Sequence, residues 1–296
     1  MLKLSQKQLK LRIADVVISL SSISNGWKLK LNGDTRRFIS KGKPDLALKV
    51  YYGFLPGLNL KKKVFSSNGN WTLFRNKNKW IYSLQSPATG PNPYALAAIG
   101  SNFKNGDIFV REFNSLTKRG KPVIDPLEYP LNEVLMVNLL SRRRGVLIHA
   151  CGISYKGRGF FFAGISRAGK STIANLWKKD KDSTILSDDR VIIRKMDSQF
   201  YIYGTPWHGD ARVCSPEKAL LEKIFFLKHA KENSIKRLSP LDATSRLIVC
   251  SFPTFWDKKG MEFTLGFCLE IAEKIPCYEL GFVPDGRILD FIRKKI

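Results

Sequence analysis

Over the first 110 positions apolar residues come in short runs, often alternating with polar ones. The runs "IADVVISLSS", "WKLKLNG" and "LALKVYYGF" read as strands, and "WTLFRN" with "KWIYSLQ" reads as a hairpin turning at Lys77-Asn78. Turn-forming clusters, "GKPD", "SSNGN" and "SPATGPNP", separate them. The pattern changes near Pro130. There "PLNEVLMVNLLSR" sets Leu131, Val134, Leu135, Val137, Leu139 and Leu140 at helical spacing, with Pro130 suited to the first turn. Strand-like and helix-like stretches then mix: "GVLIHACGISY", "GRGFFFAG", a helix from Lys170 to about Lys179, "STILSDDRVIIRK", "FYIYGT", a short helix over 217–221, "KIFFLKH", helices over 240–249 and 263–273, and "CYELGF". The fold class expected is α/β. A smaller β-rich domain over residues 1–129 precedes an α/β domain over 130–296, with the boundary between Tyr129 and Gly145. No internal repeat or low-complexity segment interrupts this plan.

Charge adds a question about partners. The 296 residues carry 50 Lys and Arg against 25 Asp and Glu, a formal charge of +25, so nucleotide, nucleic acid, anionic lipid and acidic peptide all come into view. The excess is concentrated early, with 25 basic and 8 acidic residues in the first 150 positions. Basic and aromatic residues interleave in "KLKLNGDTRRFISKGK" and "KKKVFSSNGNWTLFRNKNKWIY", as they do on single-strand binding surfaces, so nucleic acid stays open beside a plain lysine-rich surface. The five cysteines show no C-x-x-C pair or regular spacing, which speaks against a zinc site and a disulfide framework. The opening "MLKLSQKQLKLRIADVVISL" has an apolar run too short and too broken by Asp15 for a signal peptide, and no later run spans a membrane. A soluble cytoplasmic protein without membrane contact is the expectation.

The chemistry concentrates in "FAGISRAGKST". Gly164 and Gly169 followed by Lys170 and Ser171 give G-x-x-x-x-G-K-[ST], with a strand-like segment before and a helical one after. Small residues let backbone N–H groups turn toward phosphate, the lysine reaches the β- and γ-phosphates, and the hydroxyl reaches Mg²⁺. On this reading Gly164, Ile165, Ser166, Arg167, Ala168, Gly169, Lys170, Ser171 and Thr172 form a nucleotide cradle. The carboxylates of Asp188 and Asp189 follow Lys170 by only 18 and 19 residues, at the end of an apolar strand. Such a pair can divide two jobs, one acid holding Mg²⁺ with Ser171 and the other receiving the proton of an attacking hydroxyl. His149, alone on an apolar strand, reads more readily as a packed residue than as a functional one. "GTPWHGD" offers Thr205, Trp207 and His208, either as a turn around a packed Trp or as a loop bordering the substrate. His229 has no catalytic partner in sight.

Taken in order, "GVLIHACG", "FAGISRAGKST", "LSDDRVI", "YGTPWHG" and "KIFFLKHAKEN" resemble the catalytic domain of the HPr serine kinase/phosphorylase superfamily, in its HPr-kinase-like branch, whose P-loop core is similar to that of phosphoenolpyruvate carboxykinases. The resemblance covers roughly residues 145–296. It implies ATP and Mg²⁺ as cofactors, His149 beside the transfer site, Asp188 acting on a seryl hydroxyl with Lys170 on the phosphates, and Asp189 binding metal with Ser171. Departures stand out: Ile165 replaces an acidic residue, Arg167 replaces a glycine, and "YGTPWHGDARVC" replaces the loop associated with HPr recognition. The function expected is therefore ATP-dependent phosphorylation of a serine-type hydroxyl on a protein or peptide other than HPr, as in relatives that look like peptide-tailoring kinases. A small-molecule hydroxyl kinase and a non-catalytic nucleotide-sensing or nucleic-acid-binding module are the alternatives, and homo-oligomerisation is left open.

Overall fold

The computed structural model describes residues 7–58, 60, 62–67, 69–111 and 125–295. The chain is mixed α/β with two large sheets and divides into two compact units, Met1–Met136 and Val137–Ile296.

The first unit is built on eight strands, β1 (Gln8–Ile13), β2 (Val16–Ser22), β3 (Leu46–Tyr52), β4 (Lys62–Ser66), β5 (Trp71–Asn76), β6 (Lys79–Leu84), β7 (Ala95–Gly100) and β8 (Asn105–Val110). They lie in the order β1-β2-β3-β8-β7-β6-β5-β4, antiparallel except where β3 runs parallel to β2 and to β8. "IADVVISLSS" is a hairpin rather than one strand. Ala14 and Asp15 take φ of 48° and 56°, the left-handed pair a tight two-residue turn requires. The hairpin at Lys77-Asn78 forms as expected, pairing Trp71 with Leu84 and Asn76 with Lys79. "WKLKLNG" is not a strand. Its Leu29 and Leu31 are buried, and the chain then enters a 3₁₀ turn over Gly33–Phe38; among the described residues it joins no extended ladder, and the alternation reflects core packing.

The division between the units falls inside α1 (Leu131–Leu140), every residue of which is buried. The second unit contains β9 (Val146–Tyr155), β10 (Arg158–Ala163), α2 (Lys170–Trp177), β11 (Ser183–Ser187), β12 (Arg190–Met196), β13 (Gln199–Tyr203), β14 (Lys218–His229), β15 (Ser234–Arg237), α3 (Pro240–Cys250), α4 (Lys258–Lys274), β16 (Cys277–Phe282) and α5 (Arg287–Arg293). Its sheet runs β10-β9-β12-β13-β14-β16-β15, and β10 also pairs in parallel with β14, so β10, β9, β12, β13 and β14 close into a circuit. The short helix expected over 217–221 is instead the start of β14. Ala219 and Leu221 point into the core at strand period, and pairing with β13 and β10 outweighs the local helix preference of Ala, Leu and Glu.

The unbroken "FFFA" of β10 follows from helices covering both faces. Phe161 and Ala163 pack with Leu247 of α3 and Phe267 of α4, while Phe160 and Phe162 pack with Ile173 and Trp177 of α2 and Ile288 of α5. At eight residues α2 is too short to persist alone. Burial of Ile173 and Trp177 holds it to the sheet, each contributing roughly 2–3 kcal/mol. No helix among the described residues is long and apolar enough to cross a membrane.

Candidate active site

The loop over 164–169 leaves the end of β10 and enters α2 through two left-handed residues, Arg167 at φ 66° and Gly169 at φ 100°. A side chain at Gly169 would also collide with the ring of Phe282, so only glycine fits. The backbone N–H groups of Ser166, Arg167, Gly169, Lys170 and Ser171 carry no hydrogen bond among the described residues. The first turn of a helix has no internal acceptors for such groups, and here they cluster at one loop. Lys170 is 6% exposed, and its Nζ donates to the carbonyls of Gly164 at 2.8 Å and Ile165 at 2.9 Å. Burial holds its pKa below the usual lysine value, so an anion brought to Nζ would restore a stabilised charge. His229, which sequence reading left without a role, stacks on Phe282, and its Nε2 lies 2.9 Å from the Arg167 carbonyl oxygen, bracing the loop from below.

Register places the two carboxylates. Strand β9 pairs with β12 through Val146–His149 and with β11 through Gly152–Tyr155, on the same edge. The chain therefore steps from β11 to β12 at Asp188-Asp189, opposite the stretch between His149 and Gly152. Ser187 Oγ fastens the step, donating to the Trp207 carbonyl at 2.8 Å and accepting from the Arg190 N–H at 3.1 Å.

The two acids face different surroundings. Asp188 is 1% exposed and accepts N–H bonds from Gly209 at 2.9 Å, Ala211 at 2.9 Å and Val213 at 3.5 Å, while Ser171 Oγ lies 3.5 Å from its Oδ2. Asp189 reaches solvent, its side chain 18% exposed. His149 Nε2 meets its Oδ1 at 2.9 Å, and Arg190 pairs with its Oδ2 while stacking over Phe252. The family resemblance groups Ser171 with Asp189 around a metal, whereas the bond formed by Ser171 is to Asp188. His149 and Asp189 come together because His149 stands opposite Arg190 in the ladder.

Thr205 and Trp207 are buried, and Thr205 Oγ1 donates to the Arg190 carbonyl at 2.5 Å, so both fix the turn that grips Asp188. Only His208 of that trio faces solvent. Sequence reading missed Arg190 and the N–H donors of Gly209, Ala211 and Val213. The adjacency "DDR" was the only local sign of the first, and backbone donors leave none.

Among the described residues no three His, Cys, Asp or Glu side chains converge as metal ligands. The hydroxyl of Ser171 and the carboxylate of Asp188 are nevertheless the hard oxygen donors Mg²⁺ takes alongside nucleotide phosphates. The loop and this donor pair thus fit a magnesium nucleotide, which Ser171 and Asp188 would hold through the ion.

No family model matches the sequence, and no curated protein matches it. Among solved structures, the Hpr(Ser) kinase/phosphatase from Coxiella burnetii aligns with 50% of this chain and 94% of its own at 8% identity and a TM-score of 0.30, a weak similarity.

Proposed function

We propose that the second unit is an HPr-kinase-like, ATP-dependent phosphotransferase that moves the γ-phosphoryl group to a serine-type hydroxyl of a protein or peptide. One observation carries the reading: a loop with clustered unbonded N–H groups and a buried lysine lies beside two acids in contrasting environments, one sealed against Ser171 and one open with a histidine.

In this reading the loop N–H groups and Lys170 bind the phosphates. Ser171 and Asp188 would hold Mg²⁺, which when bound supplies charge neutralisation on the phosphate oxygens. The loop 209–213 orients Asp188 through its three N–H bonds. Asp189 accepts the proton that the attacking hydroxyl releases as its oxygen bonds to the γ-phosphorus and the bond to the β,γ-bridging oxygen breaks, leaving ADP. His149 and Arg190 hold the Asp189 carboxylate in place for that transfer. These assignments reverse the roles that the family resemblance gives the two acids.

Calorimetry with MgATP and transfer of labelled γ-phosphate to serine peptides test the proposal. The protein should bind MgATP, and Lys170→Ala should weaken binding roughly 30-fold, the worth of a charged hydrogen bond of about 2 kcal/mol. Unchanged affinity in that variant would place the nucleotide elsewhere.

A further inference from the structure

Beside the loop, on the face of the sheet opposite α2, a cleft of about 300 Å³ opens between β10, β14 and α3. Gly164, Ile165, Phe226, Leu227, Val249 and Cys250 line most of it. Its rim is apolar and exposed: Ile165 is 68% and Val249 72% accessible. Each of the two polar side chains at its edge makes a hydrogen bond. Arg246 donates to Glu279 at 2.7 Å, and Ser245 Oγ donates to the Leu241 carbonyl at 3.0 Å. Burial raises the Cys250 pKa, so the thiol there is neutral. The lining is thus mostly apolar, and the guanidinium at its edge is paired with the Glu279 carboxylate.

The loop fixes which end of a nucleotide faces the cleft. Helix-terminal N–H groups cradle the α- and β-phosphates, and the lysine reaches the β- and γ-phosphates. Lys170 Nζ rests on the carbonyls of Gly164 and Ile165, the residues that form the cleft wall. The phosphate to be transferred therefore lies toward the cleft, and the nucleobase lies away from it. Leu241, 73% exposed, stands eight residues before Val249 on α3, on the same helix face and roughly 12 Å along it at 1.5 Å per residue. Two exposed apolar side chains that far apart, with the Ser245 hydroxyl between them, suit a peptide better than a small alcohol.

We infer that the cleft between the phosphate loop and α3 is the acceptor subsite, taking an apolar side chain that neighbours the accepting serine in a peptide lying along α3. The inference rests on the kinase reading above and adds the acceptor's chemistry to it. Ile165, exposed at the rim, becomes a specificity determinant, since its side chain adds apolar surface to the seat of that neighbour.

The test uses the full chain with methyl-labelled isoleucine and valine, titrated with the acetylated, amidated tripeptides Leu-Ser-Leu and Asn-Ser-Asn in the presence of ADP and Mg²⁺. Leu-Ser-Leu should shift the Ile165 and Val249 methyl resonances and bind at least about tenfold more tightly, the effect of burying one leucine side chain. Val249→Gln, a neutral change at an exposed position, should abolish that ratio and leave MgATP affinity unchanged. Equal binding of the two peptides, or a ratio that survives Val249→Gln, would overturn the inference. So would a Val249 methyl shift produced by MgATP alone together with weakened MgATP binding in the variant, because the cleft would then hold the nucleobase. Leu-Ser-Leu seated in the cleft but never phosphorylated by MgATP would instead defeat the kinase reading, leaving an apolar peptide subsite of another enzyme.

Discussion

At the residue scale, the two adjacent aspartates show how neighbours in sequence acquire different chemistry. Asp188 has both oxygens committed to backbone N–H groups and Ser171 at its side, while Asp189 faces outward between His149 and Arg190. Asp188→Asn would turn an amide N–H₂ against donors that need an acceptor. It should lower stability by on the order of 2 kcal/mol and weaken Mg²⁺-dependent nucleotide binding. Asp189→Asn should keep the fold and the MgATP affinity and slow the chemical step by about 10²–10⁴-fold. Thermal unfolding, calorimetry and single-turnover transfer on both variants separate these effects, and loss of MgATP binding in Asp189→Asn with none in Asp188→Asn would restore the opposite assignment. The loop itself was legible in the sequence because Gly164, Gly169, Lys170 and Ser171 encode a local backbone shape. The division of labour between the acids was not, since it depends on which strand each meets across the sheet and on backbone donors twenty residues away that no side chain announces.

Elements were legible where a turn or a capping residue fixed them locally. The β5–β6 hairpin and α3 behind its Ser239 cap occupy the stretches their patterns predict, while α4 begins at Lys258, five residues before the expected 263, with no side-chain cap to mark its start. Two segments misled for the same physical reason, that alternation and propensity report burial rather than partners: "WKLKLNG" buries leucines without an extended ladder among the described residues, and 217–221 is drawn into β14 by two neighbouring strands. Asp125 gives the first unit a measurable link between segments. It is buried, and it accepts the Asn32 N–H at 2.8 Å and the Leu127 N–H at 2.9 Å, yet burial outweighs those donors and raises its pKa to about 6. An acid whose folded pKa is raised stabilises fully below its unfolded value near 3.8, and that stability is lost as pH rises through about 6. The stability difference between wild type and Asp125→Asn should therefore shift against the wild type by up to about 3 kcal/mol between pH 4 and pH 7, most of it before pH 6. Urea denaturation of both proteins across that range measures it, and a constant difference would show that Asp125 titrates normally.

For the whole molecule the unresolved element of design is the charge of +25, concentrated in the half that lacks the G-x-x-x-x-G-K-S sequence. The structure puts part of that charge on one edge of the first sheet. Lys62 and Lys63 lie on β4, the last strand of the sheet order, and Lys62 pairs across to Arg75, whose guanidinium sits 4.2 Å from the Trp80 ring centre. Lys77 occupies the adjacent turn, while Lys79 is partly satisfied by Asp107 at 3.5 Å; Lys61, counted in the same cluster from sequence, lies outside the described residues. A surface that merely keeps the protein soluble has no preference among partners, whereas a docking edge favours acidic acceptors. Exposed charges act mainly on encounter and are worth under about 1 kcal/mol each, so the effect is modest but selective. Replacing Lys62 and Lys63 with Ser should raise the KM for a serine peptide flanked by glutamates roughly threefold to tenfold, leave the glutamine-flanked version and ATP unaffected, and lose most of its effect at high salt as the screening length falls below about 8 Å. Steady-state kinetics at low and high salt decide the matter: equal KM values for both peptides before and after substitution would make this edge a solvated surface, and the acceptor would then be chosen by the second unit alone.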